Sequence, residues 1–241
     1  MKLFYAILSF IFIGINVGHS HALWLETNTK GELNKEQEIK VFFGEYSYNV
    51  IEEVNGKAFK NVKKFQLSLV NPSGEKTILE TKEFKNYYSA TYIPQENGVY
   101  TVELINNEID VIDYTKYDFG IFKTHYHSMT KFTVGEELST SKKLEYNGLQ
   151  IQDITSSEGE TLSFRVYYKG KELKDAEIEV AIAENWTKSI TTDENGVATL
   201  RLPWKNFNYF LEVTKKEEVP GEYNGEDYQF IWHCATYMYL N

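Results

Sequence analysis

Five histidines, at positions 19, 21, 125, 127 and 233, are the residues whose types and spacing could do chemistry in this chain of 241 residues. His125 and His127 flank Tyr126 in the tripeptide His-Tyr-His. Side chains on a strand alternate between faces, so the two imidazoles project to one side and Tyr126 to the other. Such a pair suits one metal ion if the strand lies at a sheet edge or rim. His233 sits in the run FIWHCATY. There Ile231, His233, Ala235 and Tyr237 share one strand face, and Trp232, Cys234 and Thr236 the other. His233 and Cys234 therefore point apart and do not chelate one ion together. Cys234 is the only cysteine, which excludes an intrachain disulfide. It is expected to behave as a small buried apolar residue.

His21 raises a question of processing. Residues 1–20 have the make-up of a signal peptide: Lys2 is a positive start, Leu3 to Val17 is a nearly uncharged apolar run, and small residues follow at once. The run is short for a bilayer-spanning helix, and no later stretch is long or apolar enough to be one. The mature protein is expected to be exported and soluble. Two cleavage points satisfy the small-residue rule, one after Ser20 and one after Ala22. The first leaves His21 as the mature amino terminus, with a free α-amine beside its imidazole. The second discards it. An α-amine and a ring nitrogen form a chelate, and all-nitrogen sites suit Cu(II), Ni(II), Co(II) or Zn(II).

Other chemistries find less support. There is no nucleophile elbow, P-loop or dinucleotide fingerprint. The 35 acidic residues exceed the 25 basic ones, for a formal net charge of −10, and no basic block is present. Nucleic acid is not an expected partner. Carboxylates are abundant, but none stands out by spacing.

The elements that must position these residues are strands. Aromatic residues are 15% of the chain, with 18 Tyr and 15 Phe, a composition that leans toward β-structure. Short apolar or alternating runs recur between turn signals such as Asn71–Gly74, Pro94–Gly98 and Asp193–Gly196. Residues 135–148 are polar and aperiodic, as befits a linker. The fold predicted is all-β: a signal peptide over 1–20, a β-sandwich over 21–134, the linker over 135–148 and a second β-sandwich over 149–241, in tandem and immunoglobulin-like or prealbumin-like.

The second half contains GKELKDAEIEV followed by TDENGVATLRL. These segments resemble the prealbumin-like or carboxypeptidase-regulatory-like sandwich modules of exported bacterial proteins. Over the whole chain, HALWLE after the leader, VFFGEYS, FKTHYHSMTKFTVG, LQIQDI, the two segments just quoted and the ending WHCATYMY occur in an order similar to an exported bacterial family of unassigned function. That family is often labelled NikM-like, after links to nickel and cobalt uptake. The resemblance implies a periplasmic location, two β-sandwiches and a transition-metal role. It also implies a His-x-x-Trp start and a His-x-Ala-Thr near the end, matched here by His21/Trp24 and His233/Ala235/Thr236, which favours cleavage before His21. At mid-chain, relatives look more like Lys-x-Tyr-Ala-Lys, which sets His125 and His127 apart.

The function expected is a periplasmic protein, not an enzyme, that sequesters or delivers Cu, Ni or Co through His21, His125, His127 and His233, with Trp24 packed beside the site. Its partners would be the metal ion and an envelope metal transporter or outer-membrane receptor. The alternative is a cell-envelope interaction module that binds protein or glycan without metal. A shared metal site requires the first, mid-chain and last strands to meet.

Overall fold

The computed structural model describes residues 21–136, 145–155 and 161–240. The expected signal peptide over 1–20 and residues 137–144 of the expected linker lie outside the described residues. Within them the chain is almost entirely β, as its composition predicts. Among the described residues no helix is long and apolar enough to cross a membrane.

Two sheets pack on opposite faces of a third. The central sheet has ten strands. Along it lie Trp186–Thr191, Glu177–Ile182, Tyr209–Glu217, Phe230–Tyr239, Ile121–Val134, Gly98–Asn106, Gln66–Val70 and Lys76–Ile78, with two short strands beside Ile121–Val134. The first half of the chain adds a five-stranded sheet around Ala22–Thr27, Gln37–Glu45 and Tyr88–Tyr92. The second half adds a four-stranded sheet around Leu149–Asp153, Thr161–Tyr168 and Val197–Arg201. The sandwiches therefore share their middle layer.

The join is a parallel ladder. The mid-chain strand Ile121–Val134 and the last strand Phe230–Tyr239 pair from Phe122 opposite Phe230 to Met129 opposite Tyr237. Parallel strands are stable where both faces are covered, and both are covered here. Tyr126, Cys234 and Met238 enter the core shared with Leu23, Trp24, Val41 and Phe43. Met129, Ala235 and Tyr237 enter the core shared with Ile151, Phe164, Ile178 and Leu211. Strand Glu177–Ile182 alternates for the same reason: Ile178, Val180 and Ile182 face the second core, while Ala181 packs in the first.

Local sequence explains the turns. At Gly44 a Cβ would stand 2.1 Å from the Val50 carbonyl oxygen, so only glycine lets the returning strand Val50–Ile51 approach. The Asp193–Gly196 turn closes with Gly196 N–H on the Asp193 carbonyl and with the Asp193 carboxylate accepting from Asn195 and Val197 N–H.

The first strand, Ala22–Thr27, crosses the seam and is held there by buried hydroxyls. Thr236 Oγ1 donates to the Leu23 carbonyl at 2.7 Å and shares a hydrogen bond with Ser128 Oγ at 2.8 Å. Tyr126 Oη donates to the His21 carbonyl at 2.8 Å. Replacing Thr236 by valine keeps the shape but leaves a buried carbonyl without its donor. The variant is expected to lose about 1–3 kcal/mol, read as a lower urea midpoint with an unchanged slope.

Candidate functional site

The seam decides where the histidines go. His125 stands directly opposite His233 in the parallel ladder, and His127 opposite Ala235. Residues facing each other across a ladder project to the same side, so His125, His127 and His233 occupy one face of the central sheet. Tyr126 and Cys234 occupy the other, with the first strand. His21 precedes that strand, and its carbonyl accepts the Tyr126 hydroxyl. The first, mid-chain and last strands do meet, but the sheet itself lies between His21 and the other three.

Each of three histidines is matched to a carboxylate. His21 Nε2 is 2.8 Å from Glu52 Oε1, and its ring lies against Phe43. His127 is buried, with Nε2 3.0 Å from Glu103 Oε1 and its ring stacked on Tyr146 at 4.4 Å. Glu103 also accepts Lys76 Nζ at 2.6 Å. Burial alone would raise the Glu103 pKa, but His127 and Lys76 outweigh it and hold the carboxyl below its ordinary value. His127 is thus enclosed between a carboxylate and an aromatic ring.

His233 and His125 form the one pair of imidazoles in ring contact among the described residues. Their ring centres are 5.2 Å apart, in an edge-to-face arrangement. His233 Nε2 is 2.9 Å from Glu217 Oε2, and the His233 Nδ1 is buried with no hydrogen-bond partner. Burial would raise Glu217, yet hydrogen bonds from Lys169 and His233 hold it down at about 2. Burial pushes His125 down to about 4, with His233 and Lys123 adding repulsion, and burial also lowers His233. Both rings are neutral near pH 7 and therefore carry a lone pair. Tyr168 closes one side, its ring 5.3 Å from that of His233 and beneath the Lys215 ammonium at 5.0 Å.

This arrangement has the features of a ligand pair. A metal-bound histidine normally gives its second ring N–H to a carboxylate, which fixes the tautomer. Glu217 does this for His233 and leaves Nδ1 as the basic nitrogen. With metal–nitrogen bonds of about 2.0–2.1 Å, an ion stands about 3.2 Å from each ring centre. Ring centres 5.2 Å apart leave room for one ion between them where a nitrogen of each ring turns toward it. Among the described residues, however, no group of three or more His, Cys, Asp or Glu side chains is arranged to hold one ion. The structure brings His125 and His233 together and keeps His21 and His127 in separate environments.

Trp24, expected beside the site, lies in the first core, where it stacks on Phe42 at 5.4 Å and donates from Nε1 to Glu26. Cys234 is fully buried as expected, but it also donates from Sγ to Glu212 Oε1 at 3.6 Å. Ser47, from the 3-10 helix Tyr46–Tyr48 that follows Gln37–Glu45, donates to the neighbouring Glu179 at 3.2 Å. Sequence reasoning missed Glu52, Glu103, Glu212 and Glu217. They are four of 35 acidic residues, and nothing but the register of neighbouring strands singles them out.

The fold and these residues define an all-β double sandwich with histidine–carboxylate pairs on both faces of its shared sheet. The chain belongs to the family described as a domain of unknown function, DUF4198, whose pattern matches residues 18–216. No curated protein matches it. Among solved structures it is similar to Salmonella alpha-2-macroglobulin reacted with methylamine, at 9% identity and a TM-score of 0.31 over 92% of this chain and 15% of that one. The native conformation of E. coli alpha-2-macroglobulin gives 10% identity and a TM-score of 0.30 over 91% and 14%. The chain thus spans about one seventh of those molecules, and so loose a likeness tells nothing of function.

Glu212 generates a pH dependence. Burial, then Glu179 and Glu45, push its carboxyl up to about 8 from an ordinary 4.5. Between those values the folded protein keeps a proton that the unfolded chain releases, so stability falls as pH rises through this window. Glu212→Gln cannot ionise. Its thermal midpoint should match wild type near pH 5 and exceed it by several degrees near pH 8.5, measured by circular dichroism. Parallel midpoints across that range would show that Glu212 does not titrate in the fold.

Proposed function

We propose that this protein is an exported, non-enzymatic binder of a transition-metal ion, Cu, Ni or Co, which it sequesters or delivers. The observation that carries the reading is the His125–His233 pair. Two imidazoles more than a hundred residues apart in sequence stand 5.2 Å apart, with Glu217 fixing one tautomer and His233 Nδ1 left without a partner. These two rings would hold the ion, and Glu217 would orient His233. The ion would be cargo, completed by water or by a donor from the receiving partner, an envelope transporter or outer-membrane receptor. The leader-like residues 1–20 support export to the periplasm, and the NikM-like resemblance supports nickel or cobalt as candidates.

His21 fits a second, separate chelate. Cleavage after Ser20 would expose its α-amine, and Glu52 already holds Nε2, so Nδ1 and the amine would close the ring. His127, shut between Glu103 and Tyr146, is assigned a structural role.

Titration of the correctly processed protein with Cu(II), Ni(II), Co(II) and Zn(II), followed by calorimetry, tests the reading. Saturable binding is expected. His125→Ala and His233→Ala should each weaken it more than about tenfold, and Glu217→Gln about 10- to 100-fold. His127→Ala should leave affinity unchanged while lowering the thermal midpoint. Mass spectrometry of the mature amino terminus separates the two chelates, because a chain beginning at Leu23 lacks the second. Absence of saturable uptake, or uptake indifferent to all four histidines, would overturn the proposal.

A further inference from the structure

Beyond the histidines, one end of the molecule is formed by two loops, the first of which also sends Ile109 into the first core. The first is residues 107–120, leading into the mid-chain strand. The second is residues 218–229, leading into the last strand and containing the hairpin of Gly221–Tyr223 and Glu226–Tyr228. Because the two strands are parallel, both loops arrive at the same end of the seam. They are tied together there. Asn224 Nδ2 donates to Asp110 Oδ1 at 3.1 Å, Gln229 N–H donates to the Ile121 carbonyl, and Ile121 N–H donates to Gln229 Oε1.

This end combines exposed aromatic surface with an excess of negative charge. Tyr114, Tyr117 and Phe119 are 45%, 64% and 40% exposed. Their rings form a continuous edge-to-face set. Tyr114 touches Tyr117 and Phe122, and Phe119 touches Phe122, Phe230 and Trp232, all with ring centres 5.1–5.6 Å apart. Around them stand the exposed carboxylates of Glu108, Asp110, Asp113, Asp118, Glu218, Glu222, Glu226 and Asp227, against the exposed ammonium groups of Lys116 and Lys216. A monomer rarely exposes such a patch without use.

The charge names the occupant. Rings at this end already accept cations from the chain itself: Lys123 Nζ lies 3.4 Å from the centre of the Tyr223 ring, Lys216 Nζ 4.2 Å from Phe230 and Lys116 Nζ 4.5 Å from Tyr117. Aromatic faces attract ammonium and guanidinium groups, and surrounding carboxylates strengthen and steer that attraction. A neutral glycan would stack on the rings and donate hydroxyl hydrogen bonds to single carboxylates, but it carries no positive charge to match the eight together. We infer that this tip docks a cationic segment of a partner protein, one whose Lys or Arg side chains alternate with apolar residues that cover Phe119 and Tyr117. The inference stands independently of metal binding.

The test uses the mature full-length chain and a synthetic peptide of alternating lysine and leucine, with a glutamate–leucine peptide and a neutral cello-oligosaccharide as competitors. Binding is followed by calorimetry and by amide chemical shifts. The lysine–leucine peptide is expected to bind, to shift resonances in 107–122 and 218–232, and to weaken steeply with salt. Tyr117→Ser with Phe119→Ser, and separately Glu222→Lys with Asp227→Lys, should each cost about tenfold in affinity. Glu75→Lys with Glu80→Lys reverses as much charge beside the far-edge strand Lys76–Ile78 and should leave affinity within about twofold of wild type. These are exposed positions, so a native circular dichroism spectrum is expected in every variant. Equal loss in the far-edge variant would reduce the effect to overall net charge and overturn the proposal. So would a preference for the oligosaccharide or the acidic peptide, shifts dispersed over the whole chain, or no binding.

Discussion

The parallel ladder between Ile121–Val134 and Phe230–Tyr239 is the interaction on which everything else rests. Neither half of the chain has a complete middle layer without it. Parallel strands are found mostly where both faces are shielded from water, and the two outer sheets supply that shield. One side receives Leu23, Trp24 and Phe43, the other Ile151, Phe164 and Leu211. The ladder also explains why the terminal residues matter so much. Thr236, near the end of the chain, hydrogen-bonds the carbonyl of Leu23, near the start of the described residues.

The same ladder sorts the ionisable groups. A sheet is a wall, and side chains on opposite faces cannot share a ligand. His125 and His233 lie on one side and His21 on the other, so the molecule has two separate places where nitrogen donors could act. Burial is costly for an imidazole or a carboxylate alone. The fold answers by pairing them: Glu103 with His127, Glu217 with His233. Among the described residues Glu212 meets the Cys234 thiol and two neighbouring carboxylates and no cationic partner of this kind, and its carboxyl holds its proton instead.

The aromatic, acidic tip follows from the topology too. Parallel strands start at the same end, so the loops that precede them are neighbours whatever their separation in sequence. Two stretches that look unremarkable apart, 107–120 and 218–229, become one surface because of that single directional choice.

Strand content, the turn at Asp193–Gly196, the burial of Cys234 and the opposed directions of His233 and Cys234 were legible from residue types and spacing. These are local properties, set by the period of a strand and by which residues tolerate a turn. The partners of the histidines were not legible. Choosing Glu52, Glu103 and Glu217 from 35 acidic residues requires knowing which strands are adjacent and in what register. Those are decided by burying two cores at once, a condition on the whole chain. The residue pattern placed His125, His127 and His233 each on a strand, with His125 and His127 on one side of theirs. Only the packing of distant strands put His125 against His233, enclosed His127, and set a sheet between them and His21.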